Sequence, residues 1–232
     1  MPACGTRKLL KILRDKYNVT SVSRDKLFDI LRANGLLLKR RKCKKRTTFS
    51  NHNMRVYPNS ILDVVPMRPN EIWVSDMTYI QFFDKDYYLF LITDAYSRKV
   101  VGWCVSTDMH TKNAIAALKM ALRQRKDNKH LIHHSDRGSQ YASYAYTNLL
   151  KKKKIMISMT ENSDPRENAI AERLNGIIKN EHIKYQSLDS CEIEQLVAKC
   201  VKIYNDMRPH LSINYMTPSE AHKMDGPIQQ AW

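Results

Sequence analysis

Three carboxylates stand out by type and spacing: Asp76, Asp136 and Glu172, with 59 residues between the first two and 35 between the second and third. Asp76 lies in a run of β-formers, Trp73-Val74-Ser75-Asp76-Met77-Thr78-Tyr79. Carboxylates are depleted in strands and costly to bury, so packing does not explain it. Asp136 follows the short apolar run Leu131–His134, and Gly138 predicts a sharp turn beyond it. Asp136 is thus expected at the carboxyl end of a strand, where ligand sites in open α/β sheets gather. Glu172 is expected two turns into a helix. Asp164 suits the N-cap, Pro165 the first helical position, and Glu167 completes a pattern like a capping box. Glu167 is therefore explained locally. Glu172 is not: Ile170, Leu174 and Ile177 make the buried stripe beside it, while Asn168, Asn175 and Lys179 share its face at −4, +3 and +7.

Such a face makes a poor core contact and suits a metal edge beside a phosphate backbone. Phosphodiester cleavage needs an activated oxygen nucleophile, a stabilised leaving oxygen and neutralised phosphate charge. Two magnesium ions about 4 Å apart can supply all three. Magnesium prefers oxygen ligands and keeps several waters, so a few carboxylates suffice, with manganese as an expected substitute. Without a cation, three clustered carboxylates would repel and shift one another's pKa values. Asp76, Asp136 and Glu172 are the expected catalytic residues and metal ligands. Asn175 and Lys179, on the same face, are expected beside the phosphate backbone.

The elements that must position these residues can be read in outline. Runs rich in β-formers at Ile72–Gln81, Tyr87–Thr93 and Lys99–Ser106 predict an antiparallel meander. A helical stripe follows near 111–127, then a strand at Leu131–His134, a helix near 141–153 and a strand at Ile155–Met159. Helices are expected near 165–185 and 190–206. Three antiparallel strands followed by alternating helices and strands predict an α/β mixed sheet with helices on both faces. That order matches the RNase H-like fold. Upstream, helices at 6–17 (Leu9, Leu10, Leu13) and 23–34 (Leu27, Ile30, Leu31, stopped by Gly35) form a helix-turn-helix-like pair. The expected domains are a basic DNA-binding region over 1–46, a linker over 47–70, a catalytic core over 71–186 and a helical extension of the core over 187–232.

Charge is distributed unevenly. Residues 1–58 hold 16 Lys or Arg against 3 Asp or Glu, a net +13, and the remaining 174 residues hold 23 against 20, a net +3. A basic arm on a near-neutral body suggests a nucleic-acid partner. Lys39, Arg40, Arg41, Lys42, Lys44, Lys45 and Arg46 form a cluster that cannot be buried and would neutralise phosphates beside DNA. Five widely spaced cysteines make neither a disulfide framework nor a zinc site. No apolar run is long enough to span a membrane, and Lys8, Lys11 and Arg14 interrupt any signal-like stretch. The chain is expected to be cytoplasmic and associated with the nucleoid. Trp73 and Trp103 read as core, and His133 and His134 as packing and surface hydrogen-bonding residues.

The words around the three carboxylates resemble those of DDE transposases and retroviral-type integrases. They are most similar to the integrase-like OrfB transposases of bacterial insertion sequences: Trp73–Tyr79, His134-Ser135-Asp136-Arg137-Gly138-Ser139-Gln140-Tyr141, Glu167-Asn168-Ala169 before Glu172, and Tyr204-Asn205 to Arg208-Pro209-His210, then Thr217-Pro218. The resemblance spans essentially the whole chain. It implies an RNase H-like core, a divalent metal and DNA strand transfer, with Glu172 as third ligand and Lys179 at the DNA end. It further implies homo-oligomers on double-stranded DNA, pairing element ends and target, and an upstream OrfA-type partner or fusion. Glu167 stands where the family has Asp, and the zinc domain of retroviral integrases is missing. The short stretch before the first helix raises the expectation of an upstream segment. The runner-up readings are a non-catalytic DNA-binding remnant or repressor, and an RNase H-like nuclease without strand transfer.

Overall fold

The computed structural model describes residues 4–37, 54–62, 64–83, 85–126, 129–161, 168–179, 183 and 192–228. Two helices open the chain, α1 (Thr6–Tyr17) and α2 (Arg24–Ala33). Asn18, in the left-handed region at φ 53°, ends α1. Ser23 caps α2 by accepting from the Lys26 amide. The expected apolar stripes are only partly buried: Leu10 and Leu27 are covered, whereas Ile30 is 44% exposed. So small a pair cannot enclose a full stripe on each helix.

Strands β1 (Ile72–Phe82), β2 (Lys85–Asp94) and β3 (Val100–Ser106) form the antiparallel meander. Helix α3 (Thr111–Gln124) then leads to β4 (Ile132–Ser135). The expected helix near 141–153 is two pieces, α4 (Ser139–Ala142) and α5 (Tyr144–Lys152), with Ser143 capping the second through the Tyr146 amide. Strand β5 (Met156–Met159) follows. The sheet order is β3-β2-β1-β4-β5, with β4 parallel to both β1 and β5. Helices α6 (Ala169–Ile177), α7 (Ile193–Met207) and α8 (Pro218–Ala221) complete the chain, with a 3-10 turn at Leu211–Ile213.

Both faces of the sheet are covered, and β2 shows why. Phe90 and Ile92 pack with Trp73, Ala117, Leu118 and Tyr146 on one side, while Leu89 and Leu91 pack with Leu174, Val197 and Tyr204 on the other. Successive side chains of a strand point to opposite faces, so a strand apolar at every position is buried twice. Burying each such side chain contributes about 1.5–3 kcal/mol.

Helix α7 also protects the edge. The Asn205 side chain accepts from the Val100 amide at 2.9 Å and donates to the Val100 carbonyl at 3.0 Å, replacing one rung of a missing strand. The segment read as linker lies along the core in its described part. The Met159 amide donates to the Pro58 carbonyl, the Ser60 amide donates to Ser158 Oγ, and Met54 and Tyr57 pack on the apolar cluster.

Candidate active site

The site starts from the register of two parallel strands. Ser75 of β1 pairs with Ser135 of β4, so the next residue on each is an aspartate, Asp76 and Asp136. Neighbouring strands lie about 4.8 Å apart, which brings the two carboxylates together at the carboxyl end of β4. Asp76 is held on both oxygens: Oδ1 accepts from the Met77 amide at 2.8 Å and Oδ2 from the Asn175 side chain at 2.7 Å. Asp136 Oδ1 accepts from the Gly138 amide at 3.0 Å.

Glu172 joins from α6. It lies in the first turn of that helix, which begins at Ala169, and not two turns in. The start expected at Asp164, Pro165 and Glu167 lies outside the described residues. Asn168 and Asn175 flank Glu172 on its face as expected, and both reach β1: Asn168 donates to the Ser75 carbonyl at 3.1 Å, and Asn175 to Asp76. Lys179 donates to the Tyr79 carbonyl, its ammonium 5.1 Å from the Tyr79 ring centre. Glu172 itself is exposed.

The electrostatics follow from this crowding. Burial first, then the neighbouring charges of Asp136 and Glu172, push the Asp76 carboxyl up to about 8. The bonds from Met77 and Asn175 act in the opposite direction. Desolvation also raises Glu172. Tyr141 is 2% exposed, and its hydroxyl has no hydrogen-bond partner among the described residues; burial raises it first, then the charges of Tyr146, Asp76 and Asp136. The buried Oδ1 atoms of Asn168 and Asn175 also lack partners among the described residues.

These features fit a hard cation. The donors are all oxygens, the carboxylates oppose one another's ionisation, and orphaned polar atoms surround them. Among the described residues, no three His, Cys, Asp or Glu side chains stand close enough to enclose a metal as they are. Asp76 and Asp136 form the pre-assembled pair, and Glu172 acts on Asp76 through charge from the exposed start of α6.

A buried hydrogen-bond network lies beneath the pair, and sequence reasoning did not find it. His133 Nε2 stands 2.7 Å from Ser75 Oγ and 2.8 Å from the Tyr146 hydroxyl. His134 Nδ1 stands 2.9 Å from Ser158 Oγ. Burial and His134 push His133 down to about 3, so it is neutral and ties β1, β4 and α5 together as a hydrogen-bonding residue. Two adjacent histidines in an apolar strand were the available signal, but their partners depend on strand register.

Gly138 also works differently from the sharp turn expected. Its φ is −59°, which any residue can adopt. A Cβ there would lie 2.4 Å from Gln140 Nε2 and 2.9 Å from Asp136 Oδ1, so a larger residue would have to displace these two side chains. The basic run Lys39, Arg40, Arg41, Lys42, Lys44, Lys45 and Arg46 lies outside the described residues.

Comparison with known proteins bears on the family and the fold. Two family models, each described as an integrase core domain, match residues 66–165 and 153–218. The transposase for insertion sequence element IS629 of Shigella sonnei is 33% identical over 94% of this chain and 73% of its own length. Transposase InsF for insertion sequence IS3A of Escherichia coli K12 is 31% identical over 88% of this chain and 70% of its own. Among solved structures, the HTLV-2 integrase catalytic core domain in complex with magnesium is 23% identical with a TM-score of 0.57, covering 67% of this chain and 98% of that one. A chain of the simian T-cell lymphotropic virus intasome in complex with the PP2A regulatory subunit B56 gamma is 20% identical with a TM-score of 0.63, covering 100% of this chain and 78% of that one. These structures are alike in fold: the mixed five-strand sheet is the RNase H-like sheet of retroviral integrase cores.

Proposed function

The chain belongs to the integrase-core transposases of bacterial insertion sequences, and from that premise we propose that it cuts and joins DNA with magnesium held by Asp76, Asp136 and Glu172. The observation that carries this reading is the register of β1 on β4, which sets Asp76 beside Asp136 with Glu172 in electrostatic reach. Bound there, magnesium or manganese would supply charge neutralisation at the phosphate and an activated oxygen nucleophile.

The chain's own residues divide the remaining work. Asn175 fixes one oxygen of Asp76, and Met77 fixes the other through its amide. Gly138 holds Asp136 while leaving it room. Glu172, on the first turn of α6, completes the set from the solvent side. Lys179, whose ammonium lies along β1 at Tyr79, is assigned to the backbone of the reacting DNA end. Residues 1–46, with the basic run Lys39–Arg46, are assigned to sequence-independent DNA contact, 71–186 to the catalytic core and 187–232 to its helical extension. The family reading extends to homo-oligomers that pair element ends on double-stranded DNA, and to an upstream OrfA-type partner.

Strand transfer of a labelled donor end into plasmid DNA tests the reading, run with magnesium or with EDTA, for the wild type and Glu172→Gln. Joining that requires magnesium and disappears in the variant, with gel-shift binding retained by both, is the expected outcome. Cleavage without joining would favour a nuclease. Binding without either reaction would favour a non-catalytic repressor.

A further inference from the structure

Five basic side chains from separate stretches lie around the β2–β3 corner and the end of α7, the other four within electrostatic reach of His210. They are Lys8 of α1, Arg98 at the corner, Arg173 of α6, and Arg208 and His210 just after α7. Tyr204 anchors the group: its hydroxyl donates to the Arg98 carbonyl at 2.9 Å, its ring meets the His210 ring edge-on at 5.1 Å, and the Arg208 guanidinium lies 5.9 Å from its centre. Arg208 Nη1 donates to His210 Nε2 at 2.9 Å. Arg208 is 1% exposed and His210 7%, so they form a floor. Arg98 is held in the left-handed region at φ 65°, with Nη1 donating to the Ala95 carbonyl.

The charges reinforce this picture. Burial and then Arg208, Lys8, Arg98 and Arg173 push His210 down to about 2. Burial lowers Arg98, and Arg173 opposes its charge too. The acid acting on Arg98 is Asp94, but that carboxylate is already committed. Asp94 Oδ1 accepts from the Ser97 amide and hydroxyl at 2.8 and 2.6 Å and lies 3.7 Å from His222 Nδ1, and Oδ2 accepts from the Asn70 amide at 2.7 Å. Arg173 is exposed and, among the described residues, makes no ion pair or hydrogen bond. Gathered guanidiniums repel one another, and an anion with paired oxygens converts that cost into attraction.

We propose that Arg98 and Arg173, with Lys8 beside them, seat a phosphate of the DNA backbone, and that Arg208 and His210 are the buried floor positioning the seat. The proposal rests on the transposase reading. Arg173 is the residue after Glu172, so DNA held here continues from the edge of the carboxylate site toward the corner of the sheet. The interaction is with phosphate and carries no sequence preference. It also gives the Tyr204-Asn205 to Arg208-Pro209-His210 word a role: Asn205 clamps the edge strand, Tyr204 sets Arg98, and Arg208 with His210 supports both.

The test is fluorescence anisotropy with the full chain in EDTA, across a salt series, on an element-end duplex and a scrambled duplex. Removing one phosphate-neutralising side chain should flatten the slope of log affinity against log salt by about 0.9. Arg173→Gln and Arg98→Gln should each do so, equally on both duplexes, and their combination should roughly double the effect. Arg173→Lys should keep the wild-type slope. Lys119→Gln, exposed on α3 against the opposite face of the sheet, should leave it unchanged. Arg173 is exposed, so its variant carries the test even where Arg98→Gln perturbs the corner. Wild-type slopes in both Gln variants would overturn the proposal and leave the transposase reading standing. A wild type that binds neither duplex would overturn the transposase reading itself. A rise in melting temperature with inorganic phosphate at constant ionic strength, abolished by Arg173→Gln without any change in the DNA slope, would assign the seat to a small free anion and overturn the DNA assignment.

Discussion

Asp76 is the residue at which function and stability conflict. Its folded pKa, about 8, stands above the ordinary value of about 3.9. Between those limits the folded protein keeps a proton that the unfolded chain releases. The contribution of Asp76 is therefore fully present below about pH 4 and is lost as pH rises toward 8, at about 1.4 kcal/mol per unit. Asp76→Asn removes this penalty. In EDTA the variant should match the wild type only below about pH 4 and melt at increasingly higher temperature than it as pH rises toward 8, while losing strand transfer. The neutral His133 affects both proteins alike and cancels in the comparison. A second residue-scale prediction concerns Gly138. Gly138→Ala forces the Asp136 carboxylate or Gln140 to move, so joining should fall on the order of 100-fold, whereas unfolding stability should drop by only about 1–3 kcal/mol. Parallel joining assays and urea titrations would check both parts. Asp76 and Asp136 were legible as a pair because an Asp in an apolar strand and an Asp at a strand end both lack a packing reason; the reading of Glu172 rested on a helix start at Asp164 outside the described residues, and in the structure it occupies the first turn of α6, where the helix dipole also favours a carboxylate. The partners of His133 and the space requirement of Gly138 were not legible, because both arise from atoms brought near only by the fold.

At the scale of elements, β3 and α3 meet more closely than any larger residue would allow. A Cβ on Gly102 would lie 2.3 Å from the Ala117 carbonyl oxygen and 2.9 Å from the Ala121 Cβ. Gly102→Ala should therefore destabilise the fold by about 1–3 kcal/mol, measured as a lower urea midpoint with an unchanged slope. The strands were readable from their β-formers, and the sheet order follows from short meander turns and the need to cross over for parallel pairing. What sequence periodicity missed were interruptions and endings. Ser143 divides the expected helix near 141–153 because its side chain caps a new start. Ile30 belongs to an apolar stripe yet stays exposed, because two short helices have too little surface to cover it. The function of Asn205 was equally hidden, since an amide that completes the edge of a sheet looks like any helix-surface polar residue until the two are docked.

The whole molecule combines a near-neutral core with strongly basic upstream residues, and under the proposed function this asymmetry would steer its encounter with DNA. Replacing Lys39, Arg40, Arg41, Lys42, Lys44, Lys45 and Arg46 by glutamine should weaken binding to any duplex and flatten its salt dependence. The melting temperature of the core should be little changed. Among the described residues no helix is long and apolar enough to cross a membrane. Metal contact by Asp136 is tested most directly by strand transfer with Asp136→Cys in magnesium and in manganese. A thiolate is a poor ligand for the harder magnesium and a better one for manganese. Joining should be lost in magnesium and recovered, at least in part, in manganese. Full joining by the variant in magnesium, or none in either metal by a folded variant that still binds DNA, would contradict it.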